Sequence, residues 1–255
     1  MNLSRIVLAA LFALALAAVS AQAADDSLER VQKRGELVVG FAAHYPPFES
    51  RNEKTGAFEG FDVDLADALA AKLGVKAKFK DAEWQGLLGG LQKGDYDVLV
   101  TCMSKSETRG QNVNFSDVYY VLSDVIVARL GETAVKGEKD LAGKVVGVQL
   151  GSGSEQIVDK MQGLKDVKKY NYHPEAFLDL KHKRLDALVV GYAYAVNQIK
   201  ADPDYAIVGE PLSADEIVMV LPKGADALAA KLNEALAAVK ADGQYQKAVD
   251  AWLKP

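Results

Sequence analysis

A chain of 255 residues can build one broad core or two smaller lobes, and length alone leaves both open. Its formal charge of -5 argues against nucleic-acid binding, where a basic patch supplies most of the affinity. The single cysteine, Cys102, rules out an internal disulfide.

Arg5 is the only charge before an apolar run from Ile6 to Val19, and Ala21-Gln22-Ala23 matches the small-x-small pattern of a peptidase site. The stretch reads as a secretory signal peptide cut after Ala23, too short for a comfortable span of about 20 residues. Cleavage removes one arginine and no acid, which takes the formal charge to -6. No later stretch is long and apolar enough to span, so the mature chain is expected to be soluble in the periplasm. Cys102 lies far from the cleavage site, so no lipid anchor is expected there.

Beyond the leader, β-rich runs alternate with helical patterns. Leu37-Val38-Val39 is the first strand. Leu65, Leu69 and Leu73 then recur at helical spacing, with Asp62 placed to cap the helix and Gly74 to end it. Trp84, Leu87, Leu88 and Leu91 also share helical spacing, and Val98-Leu99-Val100 reads as a strand. The most loop-like stretch is Gly131 to Lys139. Further strands run from Val145 to Leu150, Ala187 to Val190 and Ile217 to Leu221, before a helix on Leu228, Leu232, Leu236 and Val239 that Gly243 stops. This alternation predicts an α/β fold. With no internal repeat and no Pro/Gly/Ser linker, two lobes sharing the chain fit better than two independent domains.

Several motifs come in order: Tyr45-Pro46-Pro47-Phe48-Glu49 after a strand, Gly60-Phe61-Asp62-Val63-Asp64-Leu65-Ala66 opening a helix, and Ser104-x-x-Glu107-x-Arg109 leading to Phe115-Ser116-Asp117-x-Tyr119-Tyr120. Asp140-Leu141-Ala142-Gly143-Lys144, then Gly147 to Glu155, then Arg184-Leu185-Asp186-Ala187 follow. Taken together they resemble the polar amino-acid-binding proteins of bacterial ABC importers, over about Leu28 to Leu253. The resemblance implies a two-lobed periplasmic-binding-protein fold of type II, a Venus flytrap of mixed sheets with flanking helices. Lobe one would comprise residues 24–120 plus 216–255 and lobe two the inserted residues 121–215. Strands near Tyr120 to Asp124 and Asp215 to Met219 would form the hinge. A small carboxylate-bearing ligand, most simply a polar or neutral amino acid, would be held between the lobes. An inner-membrane permease would recognise the closed, monomeric protein.

A carboxylate leaving water needs charge-assisted hydrogen bonds, and Arg109 matches the family's carboxylate-binding arginine, with an interlobe salt bridge as its plainer reading. Ser104 and Glu107 have the spacing of a capping box, and in the family the N–H at this serine position also bonds the ligand. Thr101 and Cys102 fall at family contact positions. Trp84 and Tyr45 fall where aromatic rings pack on the ligand, though both could be core. Gly151-Ser152-Gly153-Ser154 joins a strand to a helix and would supply the second half of an anion cradle. It lacks the spacing of a dinucleotide or phosphate loop, so no cofactor is expected. Gln149 is a candidate for reading the ligand's polar group.

Two positions depart from the family. The aspartate that usually holds the ligand's ammonium is replaced by Gly191, and a second acid by Ala42. Either another acid, carbonyls or the Tyr192 or Tyr194 hydroxyls take over, or the ligand lacks an α-ammonium. The competing enzyme, a dehydratase of prephenate-like acids on the same fold, needs a general acid over the ligand. Ala42, Gly191, Tyr192 and Tyr194 offer no carboxylate there. His44, His173 and His182 have neither metal-ligand spacing nor a partnered nucleophile and read as loop or helix-surface residues. No metal site and no catalytic residue are therefore expected.

Overall fold

The computed structural model describes residues 25–254, and the signal-peptide reading of residues 1–23 lies outside them. In chain order the elements are α1 Ser27–Arg34, β1 Glu36–Phe41, β2 His44–Tyr45, β3 Glu49–Arg51, β4 Phe58–Glu59, α2 Phe61–Lys72, β5 Lys76–Asp81, α3 Leu87–Lys93, β6 Val98–Leu99, α4 Glu107–Gly110, β7 Val113–Leu122 and β8 Asp124–Arg129. Then come β9 Val145–Gln149, α5 Gly153–Val158, β10 Asp166–Tyr170, α6 His173–Lys181, β11 Ala187–Gly191, α7 Tyr192–Ala201, β12 Tyr205–Val208, β13 Asp215–Pro222, α8 Asp226–Ala241 and α9 Gln244–Trp252. Short 3₁₀ turns occupy Trp84–Gly86 and Glu138–Leu141. No helix among the described residues is long and apolar enough to cross a membrane.

The strands form two five-stranded mixed sheets, ordered β5-β1-β6-β13-β7 and β10-β9-β11-β8-β12, with a small sheet β2-β3-β4 beside them. In each large sheet three neighbouring strands run parallel and the remaining pairings are antiparallel. The chain passes from the first sheet to the second at Ser123, between β7 and β8, and returns between β12 and β13. This is the two-lobed α/β arrangement expected from the sequence.

Both faces of each sheet are covered, which is why the inner strands read as unbroken Val/Leu runs. In β1, Leu37 and Val39 pack under α2 and α8 against Leu65, Leu69, Leu228, Leu232 and Leu236. Val38 points the other way, towards Leu87, Leu91 and Leu99. In the second lobe Val125 and Val127 pack with Phe177, Leu180 and Leu188, while Ile126 joins Val146 and Val148. The edge strand β5 instead alternates Lys76, Lys78 and Lys80 with Ala77 and Phe79, a charged edge that discourages pairing with another chain.

The α2 start differs from expectation. Gly60, not Asp62, is the N-cap, at φ 131° and so close to Phe48 that a Cβ would meet its carbonyl oxygen at 2.2 Å. Only glycine fits that approach. The helix therefore begins early enough to turn the Asp62 carboxylate into the core beneath the cleft, where it is 1% exposed.

Candidate functional site

A cleft lies between the two large sheets, lined by side chains of both lobes. Nine of the ten residues expected there line it; Arg109 does not. The first lobe contributes Tyr45, Trp84, Thr101, Cys102 and Ser104, and the second Gln149, Ser152, Gly153 and Ser154.

Thr101 and Cys102 follow β6 and are fixed by a buried polar cluster. The Thr101 hydroxyl accepts from the Ala42 N–H at 3.1 Å and donates to Glu49 Oε1 at 2.8 Å. Cys102 stands at φ 45°, a left-handed conformation that costs a non-glycine residue about 1–2 kcal/mol. Its N–H donates to Asp62 Oδ2 at 2.6 Å, and Tyr119 Oη donates to the same oxygen at 3.0 Å. Burial pushes the Cys102 thiol well up, so it serves as a small neutral hydrophobe.

Glu49 and Asp62 lie within hydrogen-bonding reach of each other, and both are fully enclosed. Glu49 Oε2 and Asp62 Oδ1 have no other hydrogen-bond partner. A proton shared between the two carboxyls would satisfy both atoms, and burial raises both groups, Asp62 to about 7.

Arg109 stands behind the cleft wall, 7% exposed. Its Nη1 donates to the Ser104 carbonyl at 2.5 Å and to Ser104 Oγ at 3.0 Å, while Nη2 donates to the Gly151 carbonyl at 2.7 Å. In this structure the fork spans the two lobes, holding Ser104 on one side and Gly151 on the other. Burial lowers Arg109 to about 10, against the opposing pull of Asp215, so it stays charged at neutral pH. The capping box is corrected: Ser106 is the N-cap of α4, its Oγ accepting from the Arg109 N–H at 3.3 Å. Ser104 lies free of that helix, bridged to Ile217.

In the second lobe Ser152 caps α5, accepting from the Glu155 N–H at 3.1 Å and donating to the Gln149 carbonyl at 2.7 Å. A Cβ on Gly153 would come 2.8 Å from Ser104 Oγ, so the small residue lets the two lobes meet at that point. The Gln149 amide donates to the Asn171 carbonyl at 3.0 Å. Gln85 Nε2 donates across to the Leu150 carbonyl at 2.6 Å, and Tyr172 donates to Glu83.

Trp84 lines the cleft, with the Arg109 guanidinium 5.9 Å from its ring centre. Tyr45 reaches from the small sheet into the second lobe, where its ring stacks on Tyr194 at 4.7 Å and tilts against His173 at 5.0 Å. It is a contact between lobes as much as a wall of the cleft.

The histidine reading is corrected for two of three. His173 is 3% exposed, tilted against the stacked Tyr45 and Tyr194 rings, and burial pulls it down to about 3, keeping it neutral. His44 sits on the same wall, edge-on to Tyr172. Neither His44 nitrogen, nor Nδ1 of His173, has a hydrogen-bond partner among the described residues. The statement that no carboxylate reaches the cleft is also corrected, because Asp124, Asp215 and Glu49 all line it. Tyr192 turns outward, 49% exposed.

Gly191 sits in a crowded place. Its φ of -59° suits any residue, yet a Cβ there would stand 2.5 Å from Tyr45 Oη and 2.7 Å from Leu122 Cδ2. A side chain there would have to displace the Tyr45 hydroxyl and the Leu122 methyl.

The family model of bacterial extracellular solute-binding proteins, family 3, matches residues 37–255. The L-cystine-binding protein TcyJ of Escherichia coli is 34% identical, the alignment covering 99% of this chain and 96% of that one. An ancestral arginine-binding protein solved with arginine superposes with a TM-score of 0.82 at 42% identity, over 87% of this chain and 99% of the other. An ancestral amino-acid-binding protein, described as a precursor of cyclohexadienyl dehydratase, gives a TM-score of 0.82 at 32% identity, over 89% and all of that chain's 100%. These likenesses run through both lobes, and the chain belongs to the bacterial extracellular solute-binding proteins, family 3.

Proposed function

We propose that this protein captures a free amino acid in the interlobe cleft, after export to the periplasm, and presents it as a closed monomer to the permease of an ABC importer. The observation that carries the reading is the convergence of hydroxyl, amide and aromatic groups from both lobes on one enclosed cleft. Ser104 and Thr101 face Gly153 and Ser154 at one end, where a carboxylate would meet N–H and O–H donors. Trp84 supplies an apolar wall. The lobes would hinge at Ser123 and in the return between β12 and β13. Closure would then make the Arg109–Gly151, Gln85–Leu150 and Tyr45–Tyr194 contacts together. The names of the relatives favour an amino acid, and the neutral His173 on the cleft wall favours a polar, uncharged side chain.

A thermal-shift screen against the amino acids including cystine, dicarboxylates, keto acids and prephenate tests the reading. At 100 times its dissociation constant a ligand adds about 2.7 kcal/mol, which for this size corresponds to roughly 5–11 °C. A shift with one or a few amino acids supports the proposal. Shifts with keto acids alone would favour a second reading, a carrier for carboxylates without an ammonium, which the occupied space at Gly191 and the small Ala42 support. Turnover of prephenate would instead favour a dehydratase, for which Asp124 is a candidate acid.

A further inference from the structure

Asp124 is the cross-strand partner of Gly191, β8 against β11. Directly opposed residues of an antiparallel pair project to the same face with Cβ atoms about 5 Å apart. A carboxylate is therefore present one strand sideways from the place at 191 that Tyr45 Oη and Leu122 crowd. Asp215, the first residue of β13, lies on the same cleft wall within hydrogen-bonding reach of Asp124. The Ser213 hydroxyl stands between them, 3.4 Å from Asp124 Oδ2 and 2.9 Å from Asp215 Oδ2, and Ser154 Oγ donates to Asp124 Oδ1 at 2.5 Å. Both acids thus sit where the chain passes between the lobes.

Asp124 is buried and Asp215 half-buried, and neither makes a salt bridge among the described residues. Asp124 is 6% exposed. The positive charge acting on Asp215 is Arg109, whose Nη atoms are directed at Ser104 and Gly151. An independent sign of a ligand lies on the same wall, in the enclosed and unpartnered Nδ1 of His173. A ligand carrying an ammonium near one end and a polar atom near the other answers both.

We propose that Asp124, with Asp215 beside it, is the ammonium subsite of this cleft, a carboxylate displaced across one strand pair from Gly191. This rests on the amino-acid reading above and names the group that makes it workable. It also implies a proton exchange. Burial and Asp215 raise Asp124 to about 7, while Tyr45, Cys102 and Glu49 around the cleft supply no positive charge and burial keeps His173 neutral; His44 lines the same wall. An arriving ammonium stabilises the ionised carboxylate, so binding at pH 7 releases a proton to solvent.

The test titrates the wild type, Asp124→Asn and Asp215→Asn by calorimetry at pH 7, in two buffers of different ionisation enthalpy. The probes are the twenty amino acids plus L-cystine, and the 2-oxo acid matching the tightest of them. Asp124→Asn keeps the shape and an oxygen for Ser154. It is expected to weaken the amino acid roughly 10–150-fold, the range for losing a charged hydrogen bond, and to abolish proton release. The 2-oxo acid should bind that variant at least as well as it binds the wild type. If Asp124→Asn does not fold, Asp215→Asn serves: it removes the part of the rise in Asp124 that Asp215 supplies and leaves the part due to burial, so proton release should shrink while the amino acid still binds. Amino-acid affinity within about threefold of wild type in Asp124→Asn, or proton release unchanged in either variant, overturns the subsite. A wild type that binds 2-oxo acids and no amino acid overturns the broader reading as well.

Discussion

Replacing Glu49 with glutamine probes the buried pair that holds Cys102 in place. In the native state Glu49 and Asp62 are both raised by burial, Asp62 to about 7, whereas in the unfolded chain both ionise below about pH 5. The folded pair therefore binds more protons than the unfolded one, and its stabilisation is complete in acid and lost as pH rises through the folded values. His173 acts in the opposite sense. Its folded value near 3 makes the protein lose stability as pH falls below about 6.5 and leaves it constant above. The clean window is thus pH 6.5 to 8.5. One retained proton there costs up to about 1.36 kcal/mol per pH unit, so the wild type should lose about 1–3 kcal/mol, or roughly 2–12 °C in Tm. In Glu49→Gln an amide hydrogen replaces the shared proton, reaching Asp62 Oδ1 while the amide oxygen still accepts from Thr101. Calorimetric melting across the window should show that variant with at most half the wild-type slope, the residue coming from Asp124. Equal slopes in the two proteins, or a flat wild type, would refute the shared proton.

Gly191→Ala should weaken binding of whichever amino acid shifts the wild type. Overpacking against Tyr45 Oη and Leu122 costs about 1–3 kcal/mol, or roughly 5–150-fold in affinity measured by calorimetry. Arg109→Lys keeps the charge but cannot reach Ser104 and Gly151 together from one rigid fork, so an affinity loss of about tenfold or more is expected from the same titration. Tyr45→Ala removes the ring that stacks on Tyr194, and scattering in solution should report a more open, longer particle at saturating ligand. Leu232→Ala, in the core of the first lobe and far from the cleft, should cost about 2–5 kcal/mol in denaturant melts and leave the ligand stoichiometry unchanged.

The strands and the two long helices were legible because burial on both sheet faces leaves unbroken Val/Leu runs, and helix packing leaves a four-residue rhythm of leucines. The cleft wall was legible through the ordered motifs. What escaped depends on register and approach between distant segments. Asp124 and Asp215 looked like hinge boundaries, since their chemistry arises only when β8 pairs with β11 and both crossings meet. His173 looked like a surface residue until Tyr45 from the other lobe covered it. Asp62 looked like a cap, the commonest role of an aspartate at a helix start, but the Gly60 approach to Phe48 moved the start and turned the acid inward. The partners of Arg109, Ser104 and the Gly151 carbonyl, lie in different lobes and could not be read from its motif.

The chain has two tryptophans, Trp84 on the cleft wall and Trp252 in α9, where its indole N–H donates to Asp64 at 2.7 Å. Substituting Trp252→Phe leaves Trp84 as the only indole emitter, so one fluorescence titration with the amino acids reads both whether they bind and where. A saturable change in Trp84 emission with at least one amino acid, matched by a calorimetric stoichiometry of about one, is the expected result. No amino acid altering the emission or releasing heat at millimolar concentration would contradict amino-acid capture in this cleft.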